Sequence, residues 1–376
     1  MTMIPALCTD LYLPSFPAVS LAFGVRITSL QMTFTSFSLG AGVGQLFYGP
    51  VSDRFGRRKP ALWGMVLFIA ASLLCATATN LSQLVLYRFI EGLGAAAGMV
   101  ISRAVVRDRL SGAEMAKMLS AMSLIFILSP TVAPSLGALI LRWSLWPAIF
   151  NWLAVFGLVV LIGTLGIKES LSKERRNRAG FREILRSYIQ VCSNHEFCSA
   201  ALIAIGGSFL TFAYVASSAA VLMDSYHVSR DRYGLLFALI SIGLVISNRV
   251  NMKFVHTLGI ITMLRRFTLV QTLGAVSVLI ACLAHAPLWV LLPLIVVCFG
   301  CAPGMGGNAM TLGMHPFPEK AGVASALMGL AQLFGSGFIA GALAIIHGDV
   351  VIKMGCAMLV GACISFIQVR RIKTAL

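Results

Sequence analysis

The chain has 376 residues, of which 58% are hydrophobic and only 11% charged, with a mean hydropathy of +0.90. These values exclude a soluble globular domain and define an integral membrane protein. A formal net charge of +16 would suit a nucleic-acid partner, but Lys and Arg alternate from loop to loop instead of clustering on one surface, which excludes that reading.

A helix needs about 20 mostly apolar residues to cross the hydrocarbon core, and irregular backbone cannot face lipid. Apolar runs between charge clusters predict twelve such helices, at 1–22, 28–50, 61–79, 82–106, 117–141, 146–167, 197–222, 232–249, 264–284, 286–312, 321–346 and 349–369. The first carries Asp10, within Thr9-Asp10-Leu11-Tyr12-Leu13-Pro14, and Pro14 and Pro17 mark a helix end or kink just beyond. An ionisable group in hydrocarbon costs at least a few kcal/mol and is a functional hypothesis by default. Asp10 is therefore a candidate proton site, the other reading being a helix-end carboxylate near the outer headgroups. Nine residues precede it, enough at 1.5 Å each to cover about half of the hydrocarbon thickness. The first helix is thus expected to be truncated: either translation starts upstream, or this is a shortened form that no longer transports.

Between the second and third helices lies Gly49-Pro50-Val51-Ser52-Asp53-Arg54-Phe55-Gly56-Arg57-Arg58-Lys59-Pro60, a turn holding five charges. Its arginines suit carboxylates or lipid phosphates, which makes it a conformational latch more than a substrate site. Helix four carries Arg88 and Glu91 one turn apart on a shared face, either a fixed ion pair or a proton-linked one. Small residues recur at Gly40, Gly42, Gly44 and at Gly92, Gly94, Gly98, which lets helices approach closely. Helix five holds Pro130, Pro134 and Gly137, the pattern of a kinked helix with a small face.

The interval 168–196 is the longest polar stretch and divides the helices six and six, so the expected domains are 1–167, a basic linker at 168–196, and 197–376. With the N-terminus placed in the cytoplasm, 23 Lys and Arg fall on the cytoplasmic side and 5 outside, leaving Arg88 within a helix. That asymmetry puts both termini in the cytoplasm. A degenerate echo of the charged turn occurs in the second half, at Asn248-Arg249-Val250-Asn251-Met252-Lys253. Tyr12, Gln45, Phe209, Phe212, Tyr214 and Asn308 combine apolar bulk with sparse polarity and are the candidate substrate contacts. The nine cysteines lack metal-ligand or disulfide spacing and read as packing residues. No metal or other cofactor is expected. A phosphate-binding G-x-x-x-x-G-K-S/T loop and a nucleophile or His/Cys/carboxylate cluster are also missing, which argues against ATP as the energy source and against an enzyme.

In the charged turn, Gly49, Asp53, Arg54, Gly56, Arg57 and Arg58 match the loop signature of the major facilitator superfamily, roughly G-x-x-x-D-R-x-G-R-K/R. The T-D-x-Y-L-P run around Asp10, the stretch Gly44, Gln45, Leu46, Tyr48, Gly49, Pro50, the Ala133-Pro134 pair with Gly137, and Pro316-Phe317-Pro318 with Gly322 narrow the resemblance. Together they resemble the bicyclomycin/chloramphenicol-resistance (Bcr/CflA) group of drug:proton antiporters. The resemblance implies an all-α membrane protein of two six-helix bundles, related by an axis along the membrane normal. It further implies a monomer in a bacterial inner membrane that exports drugs or other small organic molecules in exchange for protons, with Asp10 as proton site. Arg88 with Gly92 and Gly94 resembles the family's helix-four motif, where Glu91 replaces the more usual Gln or His. Residues 129–138 resemble the antiporter motif G-x-x-x-G-P-x-x-G-G, with two of its glycines replaced by alanine. Export of a native metabolite such as a nucleoside, purine or amino acid is the alternative within transport, because these motifs do not encode substrate.

Overall fold

Hydrocarbon offers the backbone no hydrogen-bond partner, so a chain this apolar has to satisfy its peptide groups within each segment, and it does so as helices. The computed structural model describes residues 1–172, 174, 176, 181–317 and 319–372, and no strand occurs among them. Lys173, Arg175 and Arg178 of the expected basic linker, with Pro318 and Lys373, lie outside the described residues.

The first expected span is broken where its prolines stand. Helix α1 (Ile4–Asp10) gives way to a 3-10 turn (Leu13–Ser15), and α2 (Phe16–Phe23) follows, with Pro14 and Pro17 in the opening positions of the last two, where a missing N–H costs least. Next come α3 (Gln31–Phe55), α4 (Arg58–Ala76), α5 (Leu81–Arg109), α6 (Gly112–Trp143) and α7 (Pro147–Leu165). Inside the expected linker lies a further helix, α8 (Phe181–Cys192). The second half holds α9 (His195–Ala219), which ends in a π-turn (Ala220–Ser225), then α10 (Arg230–Leu258) and α11 (Ile260–Leu283). It closes with α12 (Leu288–Gly300), α13 (Ala302–Met314), α14 (Ala321–Ile345) and α15 (Val350–Arg371). Side-chain caps fix three of the starts: Asn80 accepts from Gln83 N, Asn194 from Phe197 N, and Asp349 from Val351 N.

Ten helical segments among the described residues are long and apolar enough to cross a membrane, with α1–α2 and α12–α13 each counting as one. Helices α3 and α6 occupy the places of the second and fifth expected spans. α3 has the length but carries Gln31, Thr33, Thr35, Ser36, Ser38 and Gln45, and α6 contributes a shorter apolar run, Val132–Trp143. Large apolar side chains such as Trp63, Leu158, Ile162, Leu273 and Trp289 point outward, as they should where the surrounding solvent is lipid.

Two compact units emerge, one comprising residues 1–26 and 32–186, the other 27–31 and 187–376. In the first, α4 packs on α5 and α7, and α1 on α5 and α6. In the second, α9 is the hub for α13, α14 and α15. Small residues set the closest approaches, because helices in a membrane associate by van der Waals packing more than by a hydrophobic drive. At Gly92 of α5 an added Cβ would fall on the Phe37 carbonyl oxygen of α3 and 3.0 Å from Ala41 N, so only glycine permits this crossing.

The crossing is testable. Gly92→Val forces two backbones apart and should cost about 3 kcal/mol or more, read as a lower unfolding temperature in detergent. Gly163→Ala, where a Cβ meets nothing within 4 Å, should be neutral or stabilising by up to about 1 kcal/mol.

Candidate functional site

The first unit contains a charged cluster sealed inside apolar walls. Arg88 and Glu91 of α5 are both 0% exposed, and Arg88 Nη1 donates to Glu91 Oε2 at 2.6 Å. From α4, Ser72 Oγ donates to Glu91 Oε1 at 2.9 Å, and Cys75 Sγ approaches Oε2 at 3.9 Å. The guanidinium lies 4.4 Å from the Phe37 ring centroid, 5.2 Å from Tyr12 and 5.9 Å from Phe150. Aromatic faces attract a desolvated cation by about 2 kcal/mol or more. They and the carboxylate together offset the cost of holding an arginine within a membrane helix. Two of its nitrogens, Nε and Nη2, have no hydrogen-bond partner among the described residues.

Asp10 closes α1 at the edge of this cluster. It is 5% exposed, accepts from Thr9 Oγ1 at 3.2 Å, and is in no salt bridge among the described residues. Two residues on, Tyr12 carries the ring that faces Arg88, and Cys8 lies within electrostatic reach of Asp10, Arg88 and Glu91 alike. Helix α6 meets this point through Gly137, where a Cβ would strike the Leu11 carbonyl oxygen and come within 3.3 Å of Pro14. Pro134 is buried one turn before it, while the side chain of Pro130 lies outside the described residues.

The charged turn forms a second assembly, at one end of the same unit. Gly56 sits at φ +91°, in the left-handed region, and a Cβ there would run into Glu169 Oε2. Beyond it, Arg57 N and Arg58 N donate to the two Glu169 oxygens at 2.8 and 3.2 Å. The buried Arg57 side chain bonds Asp108 Oδ2 from Nε at 2.8 Å and Ser52 Oγ from Nη1 at 2.8 Å, and pairs with Asp53. Arg58 reaches the Leu165 carbonyl at 2.8 Å, whereas Arg54 lies over the Phe55 ring at 5.7 Å. Gly49 has open space where a Cβ would stand. Partial burial works to raise the Glu169 carboxyl, but backbone donors from Arg57, Leu171, Arg58 and Ser170 outweigh it and hold it below its usual range.

The remaining candidates are scattered. Gln45, buried, donates from Nε2 toward Met99 Sδ at 3.7 Å. In the second unit, Tyr214 is buried among Phe237 and Phe299, Phe209 stacks on Phe338 at 5.8 Å, and Asn308 Nδ2 donates to Asn251 Oδ1 at 2.8 Å. Phe212 is half-buried. Of the six, only Tyr12 joins the charged cluster. Sequence reading did not single out Ser72, Cys75, Phe37 or Phe150, because uncharged residues in apolar helices carry no signal without a partner. Asp108 and Glu169 were legible in principle, as lone carboxylates within Arg107-Asp108-Arg109 and Lys168-Glu169 at the ends of long apolar runs.

Ten candidate spans among the described residues and an ion pair buried within one helical unit are the architecture of a multi-pass membrane protein. Residues 1–341 match the Major Facilitator Superfamily, and the chain belongs to that family. It is similar to an uncharacterised MFS-type transporter, YdgK, of Bacillus subtilis, with 33% identity over 94% of this chain and 89% of that one. Similarity extends to a bicyclomycin resistance protein homolog of Haemophilus influenzae, at 30% identity over 91% of this chain and 86% of the relative. The multidrug resistance protein MdtL of Klebsiella pneumoniae is 31% identical over 87% and 82%. The names of the second and third relatives accord with the group whose motifs the chain resembles. Among solved structures, the fold resembles a D-xylose–proton symporter, with a TM-score of 0.75, 17% identity, and 97% and 94% of the two chains covered.

Two substitutions probe the two assemblies. Glu91→Gln strips Arg88 of its counter-charge and should cost about 3–5 kcal/mol in thermal unfolding, and the double change Arg88→Met with Glu91→Leu should recover much of that. Glu169→Gln should cost about 1 kcal/mol at pH 7, at the low end because the carboxylate is exposed. A lowered carboxyl stabilises above its unfolded value of about 4.3 and loses that contribution as pH falls through the folded one. The gap between wild type and Glu169→Gln should therefore be full at pH 6–8 and close below pH 4, as followed by unfolding temperature.

Proposed function

We propose that this chain is a proton-coupled antiporter that exports drugs or other small organic molecules across a bacterial inner membrane. In this reading it works as a monomer of two six-helix halves, 1–167 and 197–376, joined by the basic segment 168–196, with both termini in the cytoplasm. The observation that carries the proposal is Asp10, a carboxyl within a membrane-spanning segment that is 5% exposed and in no salt bridge among the described residues. The bicyclomycin- and multidrug-resistance names of its relatives support the direction and kind of cargo.

The chemistry follows from the low local dielectric. A charge on Asp10 is expensive in the sealed arrangement and cheap once water reaches it, so the protonation state biases which arrangement the protein adopts. Proton uptake neutralises Asp10 and favours the sealed form. Proton release favours an opened form, in which a solute can occupy the vacated apolar surroundings. The Arg88–Glu91 pair is the electrostatic neighbour of this event: as a neutral pair it adds no net charge, yet its cation faces the ring of Tyr12, two residues beyond Asp10, at 5.2 Å. We assign the charged turn from Gly49 to Arg58 the role of holding one end of the first half together between arrangements. For solute contacts we retain Tyr12, Gln45, Phe209, Phe212, Tyr214 and Asn308.

Inverted membrane vesicles with an imposed proton gradient test this. Chloramphenicol or a lipophilic cation should release protons from energised vesicles containing the protein, and Asp10→Asn should abolish that release while leaving insertion intact. Absence of a gradient response to every drug tried, in correctly inserted protein, would shift the assignment to a dedicated metabolite exporter.

A further inference from the structure

Apart from the ion pair and the charged turn, the first unit carries an apolar groove of about 480 Å³, bounded by α1, α6 and α7. Exposure grades its depth. Leu7 and Leu11, one turn apart at the end of α1, and Leu153 of α7 are 7%, 5% and 1% exposed and form the floor. Leu136 and Leu139 of α6 and Trp152 of α7 are 42%, 42% and 57% exposed and form the rim, so the groove opens sideways to the surroundings of the protein. Trp143, the last residue of α6, stands at one end. No charged side chain lines the groove, and its hydroxyl, Ser144 Oγ, already donates to the Ile140 carbonyl at 2.6 Å. The polar atoms left are the indole N–H groups of the two tryptophans, which can only donate.

We infer that this groove binds one acyl chain of a phospholipid, with the headgroup lying outside it. The α7 wall and the α1 floor belong to segments that cross the membrane, and the α6 wall to the apolar run Val132–Trp143, so the rim meets hydrocarbon. No water is at hand to fill such a recess, and left empty its lining would forfeit dispersion contacts. A drug-sized solute is oriented by a few placed polar groups, and the floor offers none. An acyl chain needs only contact along its length, which three helices supply from three sides where a flat helix face supplies one. The dimensions agree: Leu136 and Ser144 are eight positions apart, about 12 Å along a helix axis, under half of the hydrocarbon thickness of about 30 Å. The groove therefore stays within one leaflet, and Trp143 at the helix end suits the headgroup level. The bound chain lies against the helix that carries Asp10, beside the point where the Leu11 carbonyl meets Gly137 of α6. It acts there as a packing partner of α1, independently of what the protein transports.

The test uses the full-length protein in nanodiscs of phosphatidylglycerol and phosphatidylcholine, each carrying a diazirine in mid-chain, with the adducts mapped by mass spectrometry after irradiation. Adducts are expected at Leu158, 47% exposed on α7, which reports correct insertion. They are also expected at Leu7, Leu11 or Leu153, which a chain reaches only by entering the groove. The two lipids should label the floor in the same ratio as they label Leu158, because nothing in the groove reads a headgroup. Leu139→Trp, at a rim position with room for a larger side chain, should fill the groove and remove the floor adducts while keeping those at 158. Labelling at 158 without any on the floor would overturn the site, and so would floor labelling that survives Leu139→Trp. Enrichment of one headgroup on the floor would overturn recognition by the chain alone. Displacement of the floor adducts by excess chloramphenicol would overturn the lipid as occupant and make the groove a cargo site.

Discussion

A guanidinium held where no water reaches it governs the first half of this protein. Arg88 cannot lose its charge, so its surroundings have to supply what water would have supplied. Glu91 gives the counter-charge, Ser72 and Cys75 hold Glu91 from the neighbouring helix, and Phe37, Tyr12 and Phe150 bring ring faces from three more segments. Five segments thereby converge on one side chain. The glycines of α3 and α5 belong to the same constraint, because Phe37 reaches the arginine only if its backbone can lie against Gly92. An apolar residue at position 88 would need none of this, and a membrane helix tolerates the arginine only because the packing is organised around it.

The charged turn solves the opposite problem at the end of the unit. There the backbone leaves the helical regime, and freed N–H groups need acceptors. Glu169 serves both Arg57 and Arg58 from across the unit, and Asp108 takes the Arg57 side chain, so the ends of α3, α5 and α7 and the start of α4 meet through charge-assisted bonds. Gly56 makes this possible with a left-handed backbone and no Cβ to displace the carboxylate. All of these contacts lie within one unit.

Asp10 differs from both assemblies, having neither a cation in salt-bridge range nor backbone donors among the described residues. The contrast is what singles it out. Glu91 and Glu169 each accept from several donors, whereas Asp10 accepts from one hydroxyl among the described residues, so a change in water access perturbs it most. In a family of transporters, that asymmetry among three carboxylates is the physical ground on which Asp10 is proposed as the proton site.

Much of this was legible before any coordinates. Runs of some 20 apolar residues can only be helices in lipid, charge clusters mark where they end, and the spacing Asp53-Arg54-x-Gly56-Arg57-Arg58 marks the turn. Arg88 and Glu91 declare themselves as a pair by standing three residues apart on one helix, and Pro14 and Pro17 announce the break that separates α1 from α2. Local rules suffice for these because each depends on neighbours in the chain. Other features rest on residues far apart in sequence. Ser72 meets Glu91 across 19 positions, and Glu169 meets Arg57 across 112. Serine in an apolar helix and glutamate in a polar loop are unremarked until a partner stands opposite, and the apolar groove exists only where α1, α6 and α7 meet. The sequence by itself therefore determined the class, the helices and the charges that had to be accommodated. Tertiary structure alone decided which distant groups accommodate them, since burial and hydrogen bonding are properties of what surrounds a residue and not of the residue itself.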